Sequence, residues 1–170
     1  MTAHRFLLRS CPAPVKTTLC ASKLMSTEFR ARLTEKEVRF LLIGGQAMRL
    51  LGYDRETKDH DYLIEVNVLN LDAVYAAIVH YLGYIPRFQK QELLSAKKQM
   101  NLPNNVDVLT SVEGLQFSKL YARSHIVNMD GVAVHYPCVE DMLRLKTIAS
   151  ADKTRNADQA DIEYLENLRA

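Results

Sequence analysis

The spacing of apolar residues along the chain predicts a mixture of helices and short strands. Between residues 71 and 82 the apolar side chains recur every three or four positions, which indicates a helix that ends at Gly83. The apolar run at 39–43 is typical of a buried strand, and Gly44 and Gly45 form a turn after it. The predicted helices are 26–37, 46–51, 71–82, 89–99, 138–151 and 154–169, and the predicted strands are 39–43, 61–66, 105–109, 125–128 and 132–135.

Helices and strands therefore alternate through most of the chain, and two helices end it. This order indicates an α+β or α/β domain with one mixed sheet. We expect the α+β arrangement, in which helices flank a small mixed sheet and a helical pair forms the C-terminal end. The chain has 170 residues, of which 48% are hydrophobic, so one domain with a real core can account for residues 25–170.

The segment 1–24 differs from the rest because it is basic and has no acidic residue before Glu28. Pro12 and Pro14 would interrupt any long helix there. Such a segment can be a transit peptide. The alternatives, which we favour, are a disordered tail or an over-long gene start, since Met25 offers another beginning.

Charge and cysteine content narrow the functional classes. The net charge of +2 argues against dominant nonspecific binding of nucleic acid, although a local basic patch stays possible. Three cysteines without a CxxC pair indicate neither a disulfide framework nor a zinc site, which fits a reducing compartment. No apolar run approaches the length of a membrane span. We expect a soluble, cytoplasmic protein with no membrane partner.

Candidate metal chemistry lies at the start of the second strand, where Asp59 and Asp61 are two residues apart. Side chains on a strand alternate between faces, so both carboxylates should point the same way. Two like charges held together are costly unless a cation lies between them, and Mg²⁺ favours carboxylate and phosphate oxygens. The Gly44 and Gly45 turn before a short helix would let a triphosphate approach the backbone N–H groups.

Asp107 provides a third carboxylate on the predicted strand 105–109. If that strand pairs beside the strand of Asp61, three carboxylates could hold two Mg²⁺ ions roughly 3.5–4 Å apart, and Mn²⁺ could substitute. Asp107 would then also activate an attacking hydroxyl. His60 should face the opposite side of the strand, where a packed or solvated side chain is more common than a ligand.

Charged residues also fall on the apolar faces of the last two predicted helices. Lys146 lies within the apolar arc of 138–151, and Asp158 and Asp161 lie within that of 154–169. Buried charges need partners. Lys146 could meet nucleotide phosphates while Asp158 orients Lys146 or Arg155. The alternatives are a buried ion-pair network that fixes helix packing, or acidic residues that simply favour the first helical turn.

The pattern GG-x-A-x-x-x-x-G-x-x-R-x-T-x-D-x-D resembles the nucleotidyltransferase superfamily with the DNA polymerase β-like fold. The residues that carry it are Gly44, Gly45, Ala47, Gly52, Arg55, Thr57, Asp59 and Asp61. The K…R…D..D pattern of the tail resembles abortive-infection nucleotidyltransferase toxins. The front half is also similar to small antibiotic nucleotidyltransferases, although this chain has no tryptophan, which those relatives often carry after their glycines.

The resemblance implies an enzyme that moves an NMP from ATP or another nucleoside triphosphate to an acceptor and releases pyrophosphate. RNA or protein is the favoured acceptor, an antitoxin is a possible partner, and a small hydroxyl compound is the alternative acceptor. A catalytically silent binding module or antitoxin is the alternative class. The expected residues are Asp59, Asp61 and Asp107 for metal and catalysis; Gly44, Gly45, Arg55, Lys146 and Arg155 for the nucleotide phosphates; and Thr57, Asp158 and Asp161 in support.

Overall fold

A computed structural model describes residues 28–94, 99–151 and 156–169. Its main sheet has four strands, in the spatial order β1, β2, β4, β3. The central pair β2 and β4 is parallel, and the two outer pairings are antiparallel, so the sheet is mixed. The strands are β1 (Phe40–Ile43), β2 (His60–Ile64), β3 (Gln99–Leu102) and β4 (Val106–Leu109). The basic segment 1–24 and Arg155 lie outside the described residues.

Helices flank this sheet, and the last two form a pair. They are α1 (Glu28–Glu35), α2 (Gly44–Leu50), α3 (Val68–Leu82), α4 (Phe117–Ala122), α5 (Val139–Ser150) and α6 (Asn156–Arg169). A hairpin of β5 (His125–Met129) and β6 (Val132–Tyr136) precedes α5. The α+β class, the small mixed sheet and the C-terminal helical pair are therefore confirmed. In the described ranges, no helix has the length and apolar character needed to cross a bilayer.

Three details of the predicted elements were wrong. The segment 89–99 contains only a short 3-10 helix at Lys90–Leu94, and Gln99 begins the edge strand β3. Helix α4 was not predicted, because its six residues are too few to show a helical period. The hairpin pairs with itself as a second, two-stranded sheet and lies against β1, so the described residues form two sheets instead of one.

Strand β2 packs an aromatic side chain into the hydrophobic core on the face opposite Asp61. Tyr62 is fully buried, and its ring makes edge contacts with Phe29 of α1 at 5.5 Å and Phe40 of β1 at 5.6 Å between centroids. Because successive side chains on a strand point to opposite faces, Asp61 faces away from this aromatic cluster. The core packing of Tyr62 thus determines the side of the sheet on which Asp61 lies.

Asn70 ties helix α3 to the two strands that carry the core. Its Oδ1 accepts a hydrogen bond from the Arg39 N–H at 2.7 Å, and its Nδ2 donates to the carbonyl oxygens of Arg39 at 3.1 Å and Glu65 at 2.7 Å. Asn70 is itself buried. The side chain therefore satisfies backbone groups beside the ends of β1 and β2, and it shares the Arg39 carbonyl oxygen with the Glu65 N–H.

We predict that Asn70→Ala lowers the free energy of unfolding by about 2–3 kcal/mol, because it removes three hydrogen bonds that join α3 to the backbone at Arg39 and Glu65. Urea denaturation followed by circular dichroism measures the change. Leu69→Ala is the matched control in the same helix: Leu69 is 82% exposed, so its removal should cost less than about 0.5 kcal/mol. Equal costs for the two variants would contradict the assigned role of Asn70.

Candidate active site

The strand register brings two of the predicted carboxylates side by side. In the parallel pairing of β2 with β4, Asp61 lies opposite Asp107, and in the antiparallel pairing with β1, Asp61 lies opposite Ile43. Side chains that pair across strands share one face of the sheet, so Asp61 and Asp107 both lie on the face away from Tyr62. Asp59 precedes β2 by one residue and is exposed.

A cavity of about 710 Å³ opens on this face of the sheet. It collects residues from the strand ends, the loop before β2 and one side of α5. Polar groups line one part of it and the apolar side chains of α5 line another. The polar lining residues are Gly44, Gly45, Arg55, Thr57, Asp59, Asp61, Gln99, Asp107, Ser111, Lys146 and Asp158, and the α5 residues are Met142, Leu145, Ile148 and Ala149. All described candidate residues except Asp161 therefore line one cavity.

Two glycines lie where the backbone at the cavity wall comes closest to neighbouring side chains. Gly44 has φ +66°, and a Cβ atom there would overlap the Asp61 carboxylate. A Cβ on Gly45 would lie 2.5 Å from Thr57 Oγ1. Since neither position has room for a side chain, the backbone at the start of α2 lies directly against Asp61 and Thr57. Both glycines line the cavity at this close approach.

We predict that Gly44→Ala destabilises the protein more than Gly83→Ala does. Both glycines have similar φ values, +66° and +73°, but nothing lies within 4 Å of a Cβ on Gly83. The left-handed backbone costs about 1–2 kcal/mol in each variant. Overlap with Asp61 should add about 1–3 kcal/mol in Gly44→Ala alone. Thermal and urea unfolding measure both variants, and equal costs would show that Asp61 does not crowd Gly44.

An ion-pair network connects the cavity wall to the two C-terminal helices. Lys146 Nζ lies 2.8 Å from Asp158 Oδ1 and 2.7 Å from Asp161 Oδ2. Arg55 Nη1 donates to both oxygens of Asp161, at 2.7 and 2.8 Å. Asp161 is fully buried and thus bridges a cation from the loop before β2 to a cation from α5. The predicted inward orientation of Lys146, Asp158 and Asp161 is confirmed by their burial.

The network matches two positive side chains with two negative ones, as an ion-pair network that fixes helix packing would. Lys146 also lines the cavity, and its ammonium group has three donors, while two carboxylates lie within hydrogen-bond distance of it. Asp158 Oδ2 is buried and has no hydrogen-bond partner within the part of the chain that the structure describes. This carboxylate oxygen beside Lys146 therefore remains able to accept a hydrogen bond.

Aromatic contacts hold α6 against the same region. The rings of Tyr53 and Tyr164 stack with their centroids 4.5 Å apart, and the Tyr164 hydroxyl donates to the Leu51 carbonyl oxygen at 3.3 Å. Tyr53 and Leu51 lie in the stretch between α2 and β2 that also carries Arg55. Helix α6 thus supports that stretch through apolar contact as well as through Asp161.

We predict that Lys146→Met costs about 3–5 kcal/mol in free energy of unfolding, because it leaves two buried carboxylates without their shared cation. Chemical denaturation measures this cost. The control is Lys36→Met: Lys36 pairs with Glu35 at the surface, and an exposed pair contributes about 0–1 kcal/mol. A loss for Lys146→Met no larger than that for Lys36→Met would show that the buried network does not stabilise the fold.

His60, which lies between the two aspartates in sequence, belongs to the other face of the sheet. It is buried, and its pKa is lowered mainly by loss of water and further by the positive charge of Arg30, against an opposing effect of Asp59. A lowered pKa keeps the imidazole neutral at neutral pH. His60 is therefore a packed residue and does not line the cavity, as its position in the strand predicts.

Gln99 lines the cavity but was not among the predicted site residues. Its Nε2 donates a hydrogen bond to Asp107 Oδ2 at 3.2 Å. Sequence reasoning missed it because 89–99 was assigned to a helix. The turn at 103–105, where Asn104 and Asn105 both have positive φ, is the signal that could have revealed a hairpin and hence strand β3.

The donor atoms of the cavity fit a hard divalent cation. Asp61 and Asp107 offer neighbouring carboxylates, and Mg²⁺ is usually held by one or two carboxylates together with substrate phosphates. Among the residues that the structure describes, no three His, Cys, Asp or Glu side chains are already arranged to hold a metal ion. A site of this kind would therefore draw its remaining ligands from water and a bound nucleotide, or from rotation of the exposed Asp59.

Comparison with known proteins yields little sequence similarity. No family model matches the chain, and no curated protein matches it. Among solved structures, the chain is similar to an antigenic nucleotidyltransferase-like protein from Paracoccidioides brasiliensis. The TM-score is 0.49 at 17% identity, and the match covers 87% of this chain and 75% of that one. This similarity is distant, and identity at that level transfers neither a substrate nor a reaction.

Proposed function

We propose that this protein is a metal-dependent nucleotidyltransferase, which moves the NMP part of a nucleoside triphosphate to an acceptor and releases pyrophosphate. One observation supports it above the others. Asp61 and Asp107 pair in register on parallel strands, and the Gly44 turn lies directly against Asp61 in the same cavity. A pair of carboxylates beside a backbone turn that lines the same cavity suits a triphosphate bound together with a divalent cation.

The residues around the carboxylates suit the triphosphate. Gly44 and Gly45 line the cavity, with the side chains of Asp61 and Thr57 directly beside them. Lys146 and Arg55 line the cavity and carry positive charge, which would offset the phosphate charge. In this proposal Asp161 and Asp158 position those cations, and Thr57 supports the turn through its contact beside Gly45.

The chemical step is an in-line displacement at the α-phosphorus. The acceptor hydroxyl gives its proton to the Asp107 carboxylate while its oxygen forms a bond to that phosphorus. The bond between the α-phosphorus and the oxygen bridging to the β-phosphate breaks, and its electron pair leaves with pyrophosphate. When bound at Asp59, Asp61 and Asp107, Mg²⁺ or Mn²⁺ supplies positive charge that offsets the charge developing on the phosphoryl oxygens.

We further propose RNA or protein as the acceptor. The support is the cluster in which Lys146, which lines the cavity, pairs with Asp158 and Asp161, the residues that resemble the toxin-like tail pattern. Labelled triphosphates incubated with total tRNA, with a protein extract and with aminoglycosides discriminate the acceptors. Label on tRNA or protein is the expected result, and label only on the small hydroxyl compounds contradicts this part of the proposal. An antitoxin bound to this protein would suppress the transfer.

The central experiment measures transfer from labelled ATP, GTP, CTP and UTP in the presence of Mg²⁺, for the wild type and for Asp61→Asn and Asp107→Asn. Each variant removes a carboxylate charge from the cavity. We expect Asp107→Asn to lower the rate by about 10²–10⁴-fold, the contribution typical of a positioned general base. Asp61→Asn should lose both transfer and Mg²⁺-dependent nucleotide affinity, measured by isothermal titration.

Asp72→Asn is the control for these variants, since Asp72 lies on α3, pairs with Lys90 and does not line the cavity. It should keep the wild-type rate. Failure of the wild type to bind any of the four triphosphates with Mg²⁺ would contradict the proposal and favour a catalytically silent module. Binding without transfer to any fraction would contradict catalysis alone.

A further inference from the structure

The edge strand β3 contributes a polar side chain to the carboxylate pair. Its register with β4 places Gln99 opposite Leu109 and Asn101 opposite Asp107, so all four side chains share the face that carries the cavity. Gln99 is the diagonal neighbour of Asp107, a separation that long side chains can span. Its Nε2 reaches Asp107 Oδ2 at 3.2 Å, and Gln99 lines the cavity.

We propose that Gln99 is a positioning residue that fixes the orientation of the Asp107 carboxylate toward the bound metal ion, an inference that rests on the function proposed above. A hydrogen bond to one carboxylate oxygen restrains rotation of that group about its Cβ–Cγ bond. Groups that hydrogen-bond a metal-binding carboxylate orient it, and their loss typically weakens metal affinity or activity. Gln99 occupies this place on the side of Asp107 away from Asp61.

The chemistry of the amide group suits this role better than a charged group would. A lysine or arginine at position 99 would add a positive charge that competes with the metal ion for Asp107. A glutamate would add a like charge beside Asp107. A neutral amide donates an N–H group and leaves the negative charge of Asp107 available to a cation.

A purely structural role for Gln99 makes a different prediction. Strand β3 is already held to β4 by backbone pairing from Gln99 to Leu102, and Gln99 is exposed, so the side chain adds little to the fold. If its bond to Asp107 were only a surface contact, its removal would change stability slightly and would leave metal binding unchanged. Metal affinity therefore separates the two roles.

The test uses the full chain and Mn²⁺ as the probe, with the dissociation constant measured by electron paramagnetic resonance of free Mn²⁺ in the absence of nucleotide. Gln99→Met keeps the length of the side chain but removes the N–H donor. We expect it to weaken Mn²⁺ binding by about tenfold or more, the range found for such supporting groups. Gln99→Asn keeps the amide but shortens the side chain, so it should weaken binding similarly.

Steady-state kinetics provide the second readout. Gln99→Met should lower kcat, while KM for the triphosphate changes little, since the glycine turn follows β1, at the opposite edge of the sheet from β3. The matched control is Asn101→Met, the same change in chemistry on the same strand and face, directly opposite Asp107. It should keep the Mn²⁺ affinity and kcat of the wild type.

The outcomes separate the two proposals. Wild-type protein that neither binds Mn²⁺ nor transfers a nucleotide contradicts the proposed function, and this inference with it. Wild-type binding and transfer together with unchanged Mn²⁺ affinity in Gln99→Met contradicts only the role of Gln99. An equal loss in Asn101→Met would assign the effect to the packing of β3 and would likewise overturn the inference.

Discussion

The side chains of strand β2 alternate between an aromatic cluster and the cavity, and most of the structure depends on this arrangement. Tyr62 faces the aromatic contacts with Phe29 and Phe40, and Asp61 faces the cavity. A shift of one residue in register would exchange these faces and bury a carboxylate in an apolar core, which is prohibitively costly. The hydrophobic packing of one face therefore fixes the position of the charged group on the other with little freedom.

The two C-terminal helices carry charged side chains on their buried faces. Lys146, Asp158 and Asp161 lie on faces that also carry apolar residues, so these charges are largely removed from water. Their desolvation is offset because each charge meets an opposite one at about the length of a hydrogen bond. Arg55, from a separate part of the chain, supplies the second positive charge by pairing with Asp161. The pairing joins the helices to the loop before β2 in one particular arrangement.

What could be predicted from the sequence follows from the range of the interactions involved. Asp59 and Asp61, the glycine turn and the inward side of Lys146 depend on the local period of a strand or helix, and the periods are visible in the sequence. The partner of Arg55 is Asp161, 106 residues away, and no local pattern encodes such a pairing. The sequence assigns Arg55 to the nucleotide phosphates, and only the fold shows its ion pair with Asp161.

Strand β3 is a second feature that the sequence pattern does not predict. Its four residues, QMNL, are short, and only Met100 is buried, so neither length nor alternating hydrophobicity marks them strongly as a strand. Pairing with β4 makes them a strand, and this pairing brings Gln99 to the cavity. A polar edge strand of this kind is recognised from its turn, where two asparagines adopt the left-handed conformation, better than from its own composition.

The distance in sequence between Arg55 and Asp161 also has a consequence for biosynthesis. The two residues are separated by 106 positions, which a ribosome covers in about 5 to 20 s. Through most of that interval the nascent chain holds the glycines, Asp59 and Asp61, and later Asp107, but not the helix that pairs with Arg55. The loop before β2 can reach its final arrangement only after α6 has emerged, so this wall of the cavity is completed late in translation.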